Sequence, residues 1–299
     1  MLTLTGQLMF ARRLLIFGGG SLMAFSRAFA PSPLVQPDEL TSRMVGIGMN
    51  FAAPPVPEPN IEDTILFASI EGIEKYDLRV LAVLLTWFGI HAAWVNADRL
   101  TKLVAAQGSP RVRAFWSAVA RWQKRDRRFA RLARLYFEPR LDLIETGTEF
   151  QVKRHGEDSR FEGSAIRVAA NVLRDRVADV LQPVDLARRH HAYRCRVMVG
   201  PSYRADMWAA LEEEPTLSAA ALARRTYGSF ATAWHVRRDF ALLSRALSPG
   251  QDHPSTPFKP GKIRIEIVRV KSLFILNRAA QLRTCLEQLH IYLERPSNH

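Results

Sequence analysis

A short pattern that occurs twice limits the folds open to this chain. In Val95-Asn96-Ala97-Asp98-Arg99-Leu100, and again in Leu217-Ser218-Ala219-Ala220-Ala221-Leu222, a capping residue follows an apolar residue and precedes a leucine by four positions. The cap's side-chain oxygen can take an orphan helical N–H, while the flanking apolar pair closes over it and sets the entry angle of the helix. Each copy follows an apolar helical pattern and leads, across a turn, into another capped helix carrying aromatics and arginines. Helix, capped short helix, turn and capped helix is the order of a helix-turn-helix. The spacing predicts a mainly α chain built on two such units.

Composition says what such a chain can partner. With 299 residues, 47% of them hydrophobic, it has room for two compact domains with extensions and can bury a sizeable core. Lys and Arg outnumber Asp and Glu by 42 to 29, which favours a polyanionic partner. Cys195 and Cys285 are the only cysteines, each inside a helix-like pattern, so there is no disulfide framework and a reducing compartment suits the chain. No P-loop, dinucleotide-binding glycine pattern, zinc-ligand spacing or nucleophile elbow appears, and Gly163-Ser164 lacks the Asp-x-Asp pair of a nucleotidyltransferase site. The expectation is a binding protein, not an enzyme, with no metal and no cofactor.

Residues 1–59 read as a leader or disordered Pro-rich tail ending in Pro54-Pro55-Val56-Pro57-Glu58-Pro59. Arg12-Arg13, the apolar run 14–25 and Ala28-Phe29-Ala30 resemble a secretory signal with its cleavage site, although Gly18-Gly19-Gly20 interrupts the run. A cytoplasmic location is expected, with export as the alternative, and Met44 or Met49 could serve as a start. No stretch reaches the roughly eighteen apolar residues of a membrane span, so no membrane partner is expected. The rest divides into a first winged-helix-like unit at 60–155, a helical connector at 156–200, a second winged-helix-like unit at 201–272 and a C-terminal amphipathic helix at 273–299.

In the first unit Asn60 caps a helix with Glu62 and Asp63 in its first turn, favourable against the helix dipole. The stretch 78–91 is apolar nearly all round and should be buried. The Asn96-capped helix ends at Gly108, and Ser109-Pro110 opens the next with Ser at the N-cap and Pro at N1. That helix is expected to run to about Leu135, with Val112, Phe115, Trp116, Val119 and Trp122 on one face. Arg113, Arg121, Lys124, Arg125, Arg128 and Arg131 then fall on the opposite face. Residues 109–140 hold ten Lys/Arg against only Asp126 and Glu138, which phosphate contact explains better than general solvation. Leu141 to Val152 alternates on either side of Thr146-Gly147 and predicts a β-hairpin wing. Asp142, Glu149 and Lys153 do not make a nuclease metal site there, because its Glu and Lys stand one residue apart and these stand four apart.

The connector is expected to be helical over 165–181, on Ile166, Ala169, Ala170, Leu173, Val177, Val180 and Leu181. Pro183 opens a further helix through His190, His191 and Cys195. Adjacent histidines point in different directions on a helix, whereas a two-His metal site needs i and i+4, so the pair reads as solvated or phosphate-facing. In the second unit Met207, Trp208 and Leu211 face inward, Ser218 and Ser229 cap helices, and Tyr227-Gly228 makes the turn. Phe230, Ala233, Val236, Phe240 and Leu243 share the core face of the last helix. Its far side carries Thr232, His235, Arg238 and Asp239, groups that can meet base edges. A strand over 262–270 is the candidate second wing.

Residues 217–240 (LSAAALARRTYGSFATAWHVRRDF) resemble the helix-turn-helix core of bacterial winged-helix regulators, and the Asn96 segment is similar to it. Some antitoxins that autoregulate toxin operons join a winged helix to a second domain and are similarly basic. The resemblance implies a fold of two winged-helix units with short β-hairpin wings and a C-terminal helix. It implies double-stranded DNA as partner, and a role in transcription regulation or as an antitoxin-like factor. The residues expected at the DNA are Arg113, Arg121, Lys124, Arg125, Arg128, Arg131, Ser229, Thr232, His235 and Arg238. The alternative is an interaction or assembly module whose basic face meets an acidic protein, with the final helix as a possible homodimer face.

Overall fold

The computed structural model of the protein describes residues 39–247. Residues to Leu243 belong to one unit, and the unit that follows, Ser244–His299, lies almost wholly outside the described residues. The expected second wing, the C-terminal helix and the signal-like leader lie outside them too.

The centre of the fold is a pair of helices, α2 (Ile61–Glu74) and α3 (Leu78–His91). Both start on side-chain caps: Asn60 accepts from the Asp63 N–H at 3.1 Å, and Asp77 from the Arg79 and Val80 N–H groups at 3.0 Å. From Val80 to Phe88 every α3 side chain is buried, as its all-round apolar pattern requires. Gly72 lets the two helices close up, since a Cβ there would sit 2.5 Å from Leu81 Cγ. α4 (Ala97–Ala105) and α5 (Pro110–Trp122) follow, capped by Asn96 and Ser109 with Pro110 in the first turn. Val112, Phe115, Trp116 and Val119 are buried against α2 and α3, and Trp116 Nε1 donates to Ser69 Oγ at 2.9 Å.

The chain's first described helix, α1 (Glu39–Gly46), corrects the reading of 1–59 as tail. Leu40, Met44, Ile47 and Met49 are all buried in the main core, and Trp87 Nε1 donates to the Ile47 carbonyl at 2.8 Å. Fully burying side chains of this size is worth about 1.5–3 kcal/mol each. Residues 39–49 therefore belong to the domain, although a Pro-rich stretch follows them.

Three more expectations fail for local reasons. α5 ends at Trp122, where the basic stretch turns into short 3-10 turns at Arg127–Ala130 and Leu132–Arg134. Asp126 makes the break: its carboxylate takes the Arg128 N–H at 3.0 Å, a local bond that competes with the helix. No β-hairpin forms at 141–152. Leu141–Asp142 (β1) pairs in parallel with Ile166–Arg167 (β2), and Thr148–His155 is a helix (α6). Phe150 on that helix is exposed, so no apolar face existed for a second hairpin strand, and Glu149 and Lys153 instead pair one helical turn apart at 2.8 Å. The connector has no α-helix at 165–181, only a 3-10 turn at Val177–Asp179. Ile166 and Val168 are buried two residues apart, as on a strand, and Asn171 stands at φ +65, where a helix cannot continue. Phe161, Ile166, Val168, Leu173, Val180 and Leu186 all join the main core, so this stretch is part of the first domain.

The chain then enters α7 (Pro183–Arg189) and α8 (His191–Val199), two helices where one was expected. His190 separates them, buried and in extended conformation, with Nε2 donating to the Pro59 carbonyl at 3.0 Å and Nδ1 accepting the Tyr193 N–H at 3.2 Å. It is thus a cap, and the expectation of a solvated or phosphate-facing histidine is corrected. Three consecutive helices close the described chain: α9 (Tyr203–Glu213), α10 (Ala219–Arg225) and α11 (Phe230–Leu247). They surround a second core of Met207, Ala210, Leu211, Ala219, Leu222, Ala233 and Val236. Phe240 is half-buried against Trp208, whereas Phe230 and Leu243, expected on the core face, are exposed.

The close approach at Gly72 gives a direct check of this packing. Gly72→Ala should destabilise by about 1–3 kcal/mol in chemical denaturation, because overpacking outweighs the roughly 1 kcal/mol gain in helix propensity. A more stable variant would contradict the packing of α2 on α3.

Candidate nucleic-acid interface

Residues 121–134 carry seven Lys/Arg and one acidic residue, Asp126. The stretch is not one helical face. Arg121 sits in the last turn of α5, Lys124 and Arg125 in the turn after it, and Arg127, Arg131 and Arg134 along the 3-10 segments, all six of them exposed. The segment is held in place by its buried apolar residues, Phe129 and Leu132, and by Arg128. Arg128 pairs with Asp126 and donates to the carbonyls of Val95 and Ala92 at 3.2 and 3.0 Å, so it ties the segment to the corner between α3 and α4. Arg121, Lys124, Arg125, Arg127 and Arg134 make no ion pair among the described residues. Arg113, expected beside them, is half-buried within α5, with its Nε buried and lacking a hydrogen-bond partner. Of the six basic residues expected on one face, four are exposed cations on one irregular segment and two are structural.

The α10–α11 corner is built as the sequence predicts. Ser218 accepts the Ala221 N–H at 3.1 Å and Ser229 the Thr232 N–H at 3.0 Å, while Tyr227 turns the chain at φ +56. Ser229 and Thr232 hydrogen-bond one another through their hydroxyls at 2.6 Å and are absorbed in the cap. His235, Arg237 and Arg238 are exposed along α11. Arg238 pairs with Asp239 at 3.1 Å and lies over the Trp234 ring, and Asp239 also takes Arg204 from α9.

Behind both surfaces lies a buried cluster of charge that the sequence did not signal. Glu62 and Asp63, expected to act on the helix dipole in the first turn of α2, are fully buried. Arg196 of α8 forks onto Glu62 at 2.7 and 2.9 Å and onto Asp206 of α9 at 2.6 and 2.9 Å. Asp63 pairs with the buried Arg99 of α4 and accepts from Tyr227 Oη at 2.9 Å, and the Arg99 guanidinium stacks on the Tyr227 ring. Burial pushes Glu62 up, but Arg196 outweighs it and holds the carboxyl below its usual value. At Asp206 burial wins, and the carboxyl is pushed up. Three carboxylates share two guanidinium groups here, and Asp206 is where the surplus negative charge is disfavoured.

Glu58 seals the same region. Its carboxylate takes the His191 and Ala192 N–H groups at 2.5 and 3.0 Å, capping α8. Burial raises its pKa, but His190 and those two amides prevail and bring it to about 2. A cleft of about 200 Å³ opens against this cluster, lined among others by His190, Arg196, Asp206, Arg225 and Tyr227.

Sequence reasoning also passed over Arg127, Arg134 and Arg237, and over a pair at the i, i+4 spacing it sought between histidines: His191 and Cys195 on α8. Burial pushes the Cys195 thiol up to about 11. Among the described residues no helix is long and apolar enough to cross a membrane. The chain matches no protein-family model, no curated protein and no solved structure, so what these surfaces can do is read from their own residues.

Removing Arg196 leaves Glu62 and Asp206 buried without their cation. Arg196→Ala should lower unfolding free energy by about 3–5 kcal/mol, and adding Glu62→Gln and Asp206→Asn should recover part of the loss. An Arg196→Ala chain as stable as the parent would show that the ion cluster does not form.

Proposed function

We propose that the chain is a duplex-DNA-binding protein, acting as a transcriptional regulator or antitoxin-like factor. Residues 121–134 hold the phosphate backbone and α11 meets the base edges. The observation that carries this reading is the run of exposed cations at Arg121, Lys124, Arg125, Arg127 and Arg134, free of acidic partners among the described residues. Some surface arginines elsewhere pair with carboxylates, as Arg111, Arg140, Arg167 and Arg225 do, and others such as Arg154, Arg189 and Arg194 do not among the described residues; what sets 121–134 apart is that five unpaired cations fall within fourteen residues. Cations left unpaired within one stretch are suited to phosphates, whose contacts position a protein without reading sequence. His235 and Arg238, exposed with Arg237 on a helix with a well-made cap, are side chains on α11 that can donate to or accept from bases.

A second reading has its own observation. α11 also exposes Phe230, Trp234, Leu242 and Leu243, each about half accessible, which suits a protein partner or a second copy better than a groove of DNA. On that reading the basic segment meets an acidic protein.

Affinity for duplex DNA across salt separates the two. Six or so phosphate contacts should reduce it on the order of a thousandfold between about 50 and 200 mM salt. Arg121→Glu with Arg125→Glu should weaken binding to specific and random duplexes alike and flatten the salt slope by about one for each phosphate no longer neutralised. His235→Ala and Arg238→Ala should instead erode sequence preference, by roughly 1–3 kcal/mol per base contact. No binding at low salt, or a flat response, would overturn the DNA reading in favour of the acidic partner.

A further inference from the structure

Away from these surfaces, α8 and α9 bring together three side chains of another chemistry. His191 and Cys195 stand one turn apart on the same face of α8, and Glu212 faces them from α9. One ligand atom from each, an imidazole nitrogen, the Cys195 sulfur and a Glu212 carboxylate oxygen, lie within 4.8 Å of one another. His191 Nε2 already hydrogen-bonds Glu212 Oε2. Burial is graded across the cluster: Cys195 is at its floor, 1% exposed, while His191 and Glu212 are 18% and 38% exposed and open it to solvent. The backbone beneath is fixed, because Glu58 holds the His191 and Ala192 N–H groups.

We propose that His191, Cys195 and Glu212 form a binding site for a divalent cation of borderline softness, Zn2+ being the reference ion. The donor set selects this class. Zinc accepts imidazole nitrogen, thiolate and carboxylate at about 2.0–2.3 Å, so tetrahedral binding needs donors about 3–4 Å apart, and small side-chain rotations supply the difference. Calcium and magnesium need oxygen-rich sets, and one carboxylate beside a thiol does not make one. A nucleophilic cysteine is the other chemistry such a trio can suggest, but Cys195 is only 1% exposed, which disfavours attack on a substrate carbonyl. Three protein ligands leave a fourth position for water, the pattern of zinc sites that keep an open position. On loading, Cys195 gives its thiol proton to solvent and binds as thiolate. The His191 proton moves to Nδ1 so that Nε2 can bind, and Glu212 binds as carboxylate. The bound ion cross-links α8 to α9, and this holds whether or not the chain binds DNA.

The full chain, stripped with chelator and titrated with Co2+, tests the site. One equivalent should bind with a thiolate-to-metal absorption band in the near ultraviolet, and Zn2+ should displace it. Cys195→Ser should abolish the band, whereas Cys285→Ser, which removes the other cysteine, should leave it intact. His191→Ala and Glu212→Gln, at more exposed positions, should each weaken binding by at least the about 10–100-fold that loss of an outer-shell partner causes. Circular dichroism identifies any variant that has not folded, and the two exposed-ligand variants decide the matter if Cys195→Ser is among them. No stoichiometric binding, a spectrum without the thiolate band, or affinity unmoved by the His191 and Glu212 changes would each overturn the proposal.

Discussion

The fold turns on one guanidinium. Arg196 reaches from α8 into a position where Glu62 of α2 and Asp206 of α9 both receive it, and all three groups are buried. A buried charge is tolerated only where paired and hydrogen-bonded, so each of these residues requires the others. Glu62 also takes the Asn96 N–H at 2.8 Å, and the neighbouring Asp63 takes Arg99 and Tyr227. The first turn of α2 thereby sets the start of α4, the placement of α8 and α9, and the turn before α11. An apolar contact would hold the same elements together but would tolerate sliding. Paired forks do not.

Those surfaces are linked to the cluster through short chains of contacts. Arg128 anchors the basic segment on the carbonyls of Ala92 and Val95, directly before the Asn96 cap. Asp98, in the first turn of α4, takes Lys102 at 2.5 Å and Tyr203 Oη at 3.0 Å, and Arg131 adds to the field that keeps its carboxyl low despite burial. Tyr203 begins α9, and its neighbour Arg204 pairs with Asp239 on α11 at 2.7 Å. The proposed phosphate-binding segment and the proposed reading helix are thus attached to one framework rather than strung on a linker. The His191, Cys195 and Glu212 trio lies at the α8–α9 junction of that framework, where a bound ion would stiffen it further.

Sequence patterning was legible at most places where a side chain acts on its own helix. The caps at Asn60, Asn96, Ser109, Ser218 and Ser229, the buried run of α3 and the inward Met207 and Leu211 all follow from local spacing. It failed where a distant partner decides. Glu62 and Asp63 look like ordinary first-turn acids until Arg196 and Arg99 arrive from far along the chain. Leu40, Met44, Ile47 and Met49 look like a tail because the apolar pattern is short and proline follows. Ile166 to Leu181 has helical spacing on paper, but Asn171 breaks it and a strand partner at Leu141 claims its start. The basic stretch was correctly seen as basic and wrongly seen as one helix, since Asp126 prefers its own local bond. The His191–Cys195 spacing was visible all along, and Glu212, supplied from the next helix, was not.

Arginine-selective chemical modification of the full chain, mapped by mass spectrometry with and without duplex DNA, tests the account at both of its levels. Arg99 and Arg196 should stay unmodified in either state because they are buried and paired. Arg121, Arg125, Arg127 and Arg134 should react in the free protein and be protected by the duplex. Modification of Arg196 in the folded chain would contradict the closed charged core, and equal reactivity of the exposed four with and without DNA would contradict the interface.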